Sequence, residues 1–121
     1  MEHNFRKLKI WEEAVNITVN TFKATKKMPK EEIFGMVSQM RRAANSMPSN
    51  IAEGCGRRTA KDFSYFIDIS LGSSNELISD LIVCMKLEYL KPEEANNIIS
   101  KIETWQSMTF SFQRNNLKKN L

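Results

Sequence analysis

The stretch "QMRRAANSMPSNIAEGCGRRT", Gln39 to Thr59, decides how this chain folds. It has the spacing of an amphipathic helix, yet it carries a proline at its centre, two glycines near its end and an arginine pair on each side. Ile33, Val37, Met40, Ala44, Met47, Ile51 and Cys55 follow one another three or four residues apart, and the phase survives Pro48. An interior proline removes one backbone hydrogen bond and crowds the carbonyl four residues earlier, here that of Ala44, at a cost of about 3 kcal/mol. A broken helix would leave the downstream register unconstrained. The retained phase therefore favours a kinked, continuous helix, with Asn45, Ser46 or water satisfying the freed Ala44 carbonyl. In the alternative, Met47 ends one helix and Ser49 or Asn50 caps a short new one. Gly54 and Gly56 supply the stop in either case.

Working outward, this helix 2 begins after Pro29, where Glu31 and Glu32 suit the positive end of a helix dipole. Helix 1 is expected over roughly Lys7 to Lys26, with Leu8, Trp11, Ala14, Val15, Thr18 and Phe22 marking its apolar face. Helix 3 is expected from Thr59 or Ala60 to about Tyr89, and more than half of the residues from Phe63 to Leu90 are large and apolar. Tyr65, Ile69 and Val83 lie off the face formed by Phe66, Leu77 and Leu81, so the helix needs burial on more than one side. A subunit interface and a well-buried central position both meet that need. The small residues of "SLGSSN", Ser70 to Asn75, would let a neighbour approach closely and offset the roughly 1 kcal/mol that Gly72 costs. Pro92, Glu93 and Glu94 open helix 4, whose face is Ala95, Ile98, Ile102, Trp105, Met108 and Phe112, and the tail "RNNLKKNL" is expected to fray. No segment sustains a period of two. The fold class is all-α, and short connections predict an up-down-up-down four-helix bundle.

The chain has 121 residues, 41% hydrophobic and 26% charged, which suits one domain over 1–121 with 1–6 and 115–121 flexible. No apolar run approaches the roughly 18 residues of a membrane span, and the N-terminus has no signal-peptide run. A cytoplasmic, soluble protein with no membrane partner is expected. Cys55 and Cys84 lack metal-ligand or C-x-x-C spacing and suit a reducing compartment. His3 is the only histidine, so neither a nucleophile–histidine dyad nor an inward Glu-x-x-His metal pair can be built. "EGCG" lacks the lysine and preceding strand of a phosphate loop. Glu53 near Arg57 reads as an ion pair rather than a general base. No catalytic, metal or cofactor-binding residues are assigned, and no enzymatic activity is expected.

Charge is the remaining functional clue. The net value is +4, and an antiparallel bundle sorts it by pole. One end gathers Arg6, Lys7, Lys9, Arg57, Arg58, Lys61, Arg114, Lys118 and Lys119 against only Glu2, Glu53 and Asp62. The opposite end is nearly balanced. A basic pole suits phosphate backbones, RNA or DNA, whose contacts supply affinity with little sequence discrimination and weaken with salt. Lysines at helix ends can equally be solvated surface. Repetition of the patch around an oligomer would tilt the balance toward binding.

With these motifs placed, "LKIWEEAV" at Leu8 to Val15, the block from Phe34 to Leu77 containing "QMRRAANSMPSNIAEGCGR", and "LEYL" at Leu87 to Leu90 carry a resemblance. The chain resembles the four-helix bundle family encoded by intervening sequences of bacterial 23S ribosomal RNA genes. It departs from that pattern at Met47 and Ser70, where isoleucine and alanine would be expected. The resemblance implies an up-and-down protomer of a homopentameric barrel. It also implies kinship with the accessory protein of diversity-generating retroelements, whose basic bundle binds nucleic acid and the reverse transcriptase. The expectation is a non-enzymatic, homo-oligomeric bundle binding RNA or DNA through the basic pole, Arg57, Arg58 and Lys61 being central. Arg42, Asn45, Ser49 and Glu53 fall on the outward face of helix 2 as interface contacts. The competing expectation is a scaffold that recruits a protein partner such as a reverse transcriptase.

Overall fold

The computed structural model describes residues 4–117. Four helices, α1 (Lys9–Thr25), α2 (Ser38–Cys55), α3 (Ala60–Lys86) and α4 (Pro92–Asn116), pack as a bundle, and no strand occurs among the described residues. Cross-helix hydrogen bonds give the direction of each neighbour. Thr18 meets Ala44 and Thr25 meets Arg41 between α1 and α2; Ser70 meets Met47 and Asp80 meets Gln39 between α3 and α2. Gln106 meets Ser74 and Gln113 meets Ser64 between α4 and α3, and Trp105 donates to the Ile10 carbonyl between α4 and α1. In every pair of neighbours an early residue meets a late one, so adjacent helices run antiparallel around the ring.

Pro48 lies inside α2, buried, and the helix continues through it to Cys55. The freed Ala44 carbonyl is satisfied from another helix. Thr18 Oγ1 lies 2.9 Å from the Ala44 oxygen and 2.9 Å from the Ala14 oxygen, so one hydroxyl proton is shared between the two helices. Of the expected donors, Ser46 is engaged elsewhere: its hydroxyl pairs with Ser73 at 2.8 Å, and its hydroxyl and carbonyl both accept from the Asn50 amide. Ser70 donates to the Met47 carbonyl at 2.8 Å, which places the two positions that depart from the family pattern in direct contact.

The helix 1 face differs from the expectation. Its core row is Ile10, Ala14, Ile17, Thr21 and Ala24, whereas Leu8, Trp11, Val15 and Thr18 are half-buried and Phe22 is 39% exposed. Thr21 and Thr25 can face the core because their hydroxyls donate to Ile17 and Thr21 carbonyls of their own helix, both at 2.8 Å. In helix 2 the apolar row is buried from Val37 to Cys55, but Ile33 is exposed. The chain there passes through a 3-10 turn at Lys30–Glu32 and a wide turn at Ile33–Val37, with helical geometry interrupted at Gly35, so the 3.6-residue phase does not extend back to Ile33. In α4, Thr109 and Gln113 are buried where Met108 and Phe112 were expected to be central. α4 also runs through Asn116, Leu117 is buried, and residues 118–121 lie outside the described part.

α3 starts at Thr59, whose hydroxyl accepts from the Asp62 amide at 3.0 Å, and stops at Lys86 rather than near Tyr89. Glu88 adopts φ 64° there, and the Glu88 and Tyr89 amides return to the Met85 and Cys84 carbonyls. This is a Schellman stop with glutamate where glycine is usual. The serines of Ser70 to Asn75 do face neighbours, but Gly72 is exposed, and a Cβ added to it would meet nothing within 4 Å.

Candidate nucleic-acid interface

The N-terminus of α1, the α2–α3 junction and the C-terminus of α4 share one end of the bundle. A 3-10 turn at Phe5–Lys7, capped by Asn4, precedes α1 and packs against α2. Gly54 lets α2 and α3 close upon each other: an added Cβ would lie 2.7 Å from Phe63 Cδ1 and 3.1 Å from Phe66 Cβ. Phe63 in turn meets Phe112 with ring centroids 5.8 Å apart. The buried Gln113 amide donates to Ser64 Oγ at 3.0 Å and Asp68 Oδ1 at 2.7 Å, which sets the end of α4 against the start of α3. Arg6, Lys7, Lys9, Arg57, Arg58, Lys61 and Arg114 are all exposed at this pole, while Lys118 and Lys119 lie outside the described residues.

These cations are not equivalent. Arg57 Nη2 lies 3.3 Å from Glu53 Oε2, and its guanidinium sits 4.6 Å above the Phe66 ring centre. Lys9 approaches Glu13 at 3.8 Å, a loose exposed pair. Arg6 lies over Phe5, whose ring meets Trp11 edge-on at 5.1 Å. Lys7, Arg58, Lys61 and Arg114 have no ion pair among the described residues. Arg42, Asn45, Ser49 and Glu53 are exposed on α2, but Glu53 is engaged by Arg57 and so belongs with the basic pole. Arg41, the other member of the first arginine pair, reaches back to Thr25 Oγ1 at 3.0 Å and stacks on Phe22, closing the end of α1.

Sequence reasoning missed the aromatic component of this pole. Tyr65 is 61% exposed and meets Phe66 edge-on at 5.4 Å, beneath Arg57. The available signal was Tyr65 one helical turn after Lys61, in the first turns of the helix that follows the double arginine; by periodicity alone it is a surplus apolar residue.

Elsewhere, burial pushes the Cys55 and Cys84 thiols up to about 11, so both are neutral, unreactive core groups at ordinary pH. The described residues contain no group of three or more His, Cys, Asp or Glu side chains able to hold a metal ion. No helix among them is long and apolar enough to cross a membrane.

The model of the 23S rRNA-intervening sequence protein family matches residues 6–111. The chain belongs to that family. The fold is similar to the crystal structure of a protein of unknown function of the S23 ribosomal protein family from Bacteroides thetaiotaomicron. The TM-score is 0.78 at 20% identity, covering 88% of this chain and 99% of the other. Comparison with curated proteins gives no match. For this intervening-sequence family member the similarity fixes the four-helix architecture, and the basic pole rests on its own residues.

Proposed function

We propose that the protein is a non-enzymatic, homopentameric bundle that binds RNA or DNA phosphate backbones through the basic pole. The observation that carries this reading is the set Lys7, Arg58, Lys61 and Arg114, exposed at one end without carboxylate partners among the described residues. At the other end Lys23, Lys26, Lys30, Lys86 and Lys91 also form no ion pair among the described residues, but Glu31, Glu32, Glu88 and Glu93 stand among them and offset their charge, and Lys27 is bound to Glu94 at 2.6 Å. Cations left unneutralised are the ones that release counterions when a polyanion binds. Arg57 contributes from a fixed position, held between Glu53 and Phe66.

The test is fluorescence anisotropy with structured RNA, single-stranded DNA and duplex DNA across a salt series. Affinity should fall linearly in log salt, with a slope that counts the phosphates covered. Arg58→Glu with Lys61→Glu should abolish binding without altering thermal stability, because neither residue has an ion partner to lose among the described residues. Unchanged binding by that variant would place the interface elsewhere.

A second reading, a scaffold that recruits a protein such as a reverse transcriptase, is supported by the opposite pole. Phe34 is 97% exposed there, with Ile33 at 49%, on a connector tied down where the Tyr89 hydroxyl donates to Glu32 at 2.9 Å. A solvent-facing aromatic side chain suits a protein pocket. An absence of nucleic-acid binding at low salt would make this the leading reading.

A further inference from the structure

A surface that binds only phosphate needs no exposed aromatic rings. The basic pole has one beside its cations, built layer by layer. Gly54, lacking a Cβ, admits Phe66 against the end of α2; Arg57, anchored by Glu53, holds its guanidinium carbon over that ring, 4.6 Å from its centre. Tyr65 stands edge-on to Phe66, at an interplanar angle of 82° and 61% exposed, and Lys61 projects one helical turn away along the same side of α3. The pole thus presents a phenol ring and a guanidinium held over a second ring, on the same end of the bundle as the exposed cations Arg58 and Lys61. Aromatic and guanidinium planes stack on bases that are not already stacked within a duplex.

We propose that this cluster is a stacking platform for unpaired bases, so the ligand of the basic pole is single-stranded nucleic acid, or the loops and ends of structured RNA, in preference to duplex. The inference rests on the nucleic-acid reading of the same pole and adds the ligand class to it. Tyr65 offers the open ring face, Arg57 on Phe66 offers a second plane, and Lys61 with Arg58 holds the intervening phosphates. Tyr65 is specified as a base contact, not as an interface between copies.

The experiment compares a fluorescein-labelled single strand with a duplex of equal length, in anisotropy titrations over a salt series, for the wild type, Tyr65→Ala and Tyr65→Phe. A single strand carrying 2-aminopurine reports stacking directly through its emission. The wild type should prefer the single strand and change the 2-aminopurine emission. Tyr65→Ala should lose at least about fivefold in single-strand affinity, in keeping with the stacking loss of one base, while its salt slope and its duplex binding stay as in the wild type. Tyr65→Phe should restore the single-strand affinity. Equal binding of both ligands with no effect of Tyr65→Ala would overturn the platform and leave the phosphate-binding pole intact. No binding of any strand at low salt would overturn the pole as well. A change in light-scattering mass for Tyr65→Ala would assign the ring to subunit contact and also overturn the platform.

Discussion

Asp80 is 5% exposed, and its Oδ2 has no hydrogen-bond partner, while Oδ1 accepts from the Gln39 amide at 2.9 Å. Burial raises its carboxyl above the usual range, the Glu76 charge adds to the rise, and the Gln39 contact opposes it. A raised folded-state value means that the native state holds the proton more tightly than the unfolded chain. The contribution of this group to stability is therefore full in acid and is lost as pH climbs through and beyond the ordinary carboxylate range. Asp80→Asn keeps an acceptor for Gln39 and removes the stranded charge. Urea denaturation should show it more stable than the wild type at pH 7, by on the order of 1 kcal/mol, with the gain shrinking as pH is lowered to 4. An equal loss of stability at both pH values would mean that the carboxylate has a structural partner. The position was legible in principle: Asp80 follows Leu77 by three residues and precedes Leu81 and Cys84 on the same face. Its chemistry concealed that, because carboxylates rarely occupy buried positions.

At the scale of the helix, the continuity of α2 through Pro48 was legible because the apolar row from Val37 to Cys55 kept phase across it. The donor that makes the proline tolerable was not, because it comes from α1, 26 positions away from Ala44. Local pattern reports a helix's own periodicity and contains nothing about which partner crosses it. The same limit explains α1, where the row of Leu8, Trp11, Val15 and Phe22 stood out more than the true core row, in which Ile10 and Ile17 share the face with two alanines and self-bonded threonines. Thr18→Val retains the shape of the side chain and removes the donor. It should cost about 1–2 kcal/mol in chemical denaturation by leaving the Ala44 carbonyl orphaned in a half-buried setting. In a Pro48→Ala background the restored amide can serve that carbonyl, so the cost of Thr18→Val should fall toward zero. Additive effects of the two substitutions would mean that the carbonyl is satisfied independently of Thr18.

At the scale of the whole molecule, the basic pole was readable because antiparallel topology converts sequence position into spatial position. Contacts between copies obey no such rule. The outward side of α3 leaves Val83 at 40% and Leu87 at 52% exposed, and Gly72 lies on that side with open space beyond it. Nothing among the described residues explains a glycine in the middle of a 27-residue helix, where alanine would be more favourable by about 1 kcal/mol. If the proposed pentamer packs a neighbouring copy along α3 from Gly72 toward Leu87, leaving Tyr65 free at the pole, the missing side chain has a purpose: it admits the neighbour's backbone. Light scattering should then give five times the 14.0 kDa chain mass for the wild type, and Gly72→Arg should release protomers that keep their helical circular dichroism. Gly72→Ala separates the two possibilities more finely. It should raise the thermal midpoint of the chain if the position faces water in solution, and lower it, with loss of assembly, if another copy occupies that space. A wild type that remains monomeric across micromolar concentrations would remove the pentamer and return Gly72 to the exposed surface.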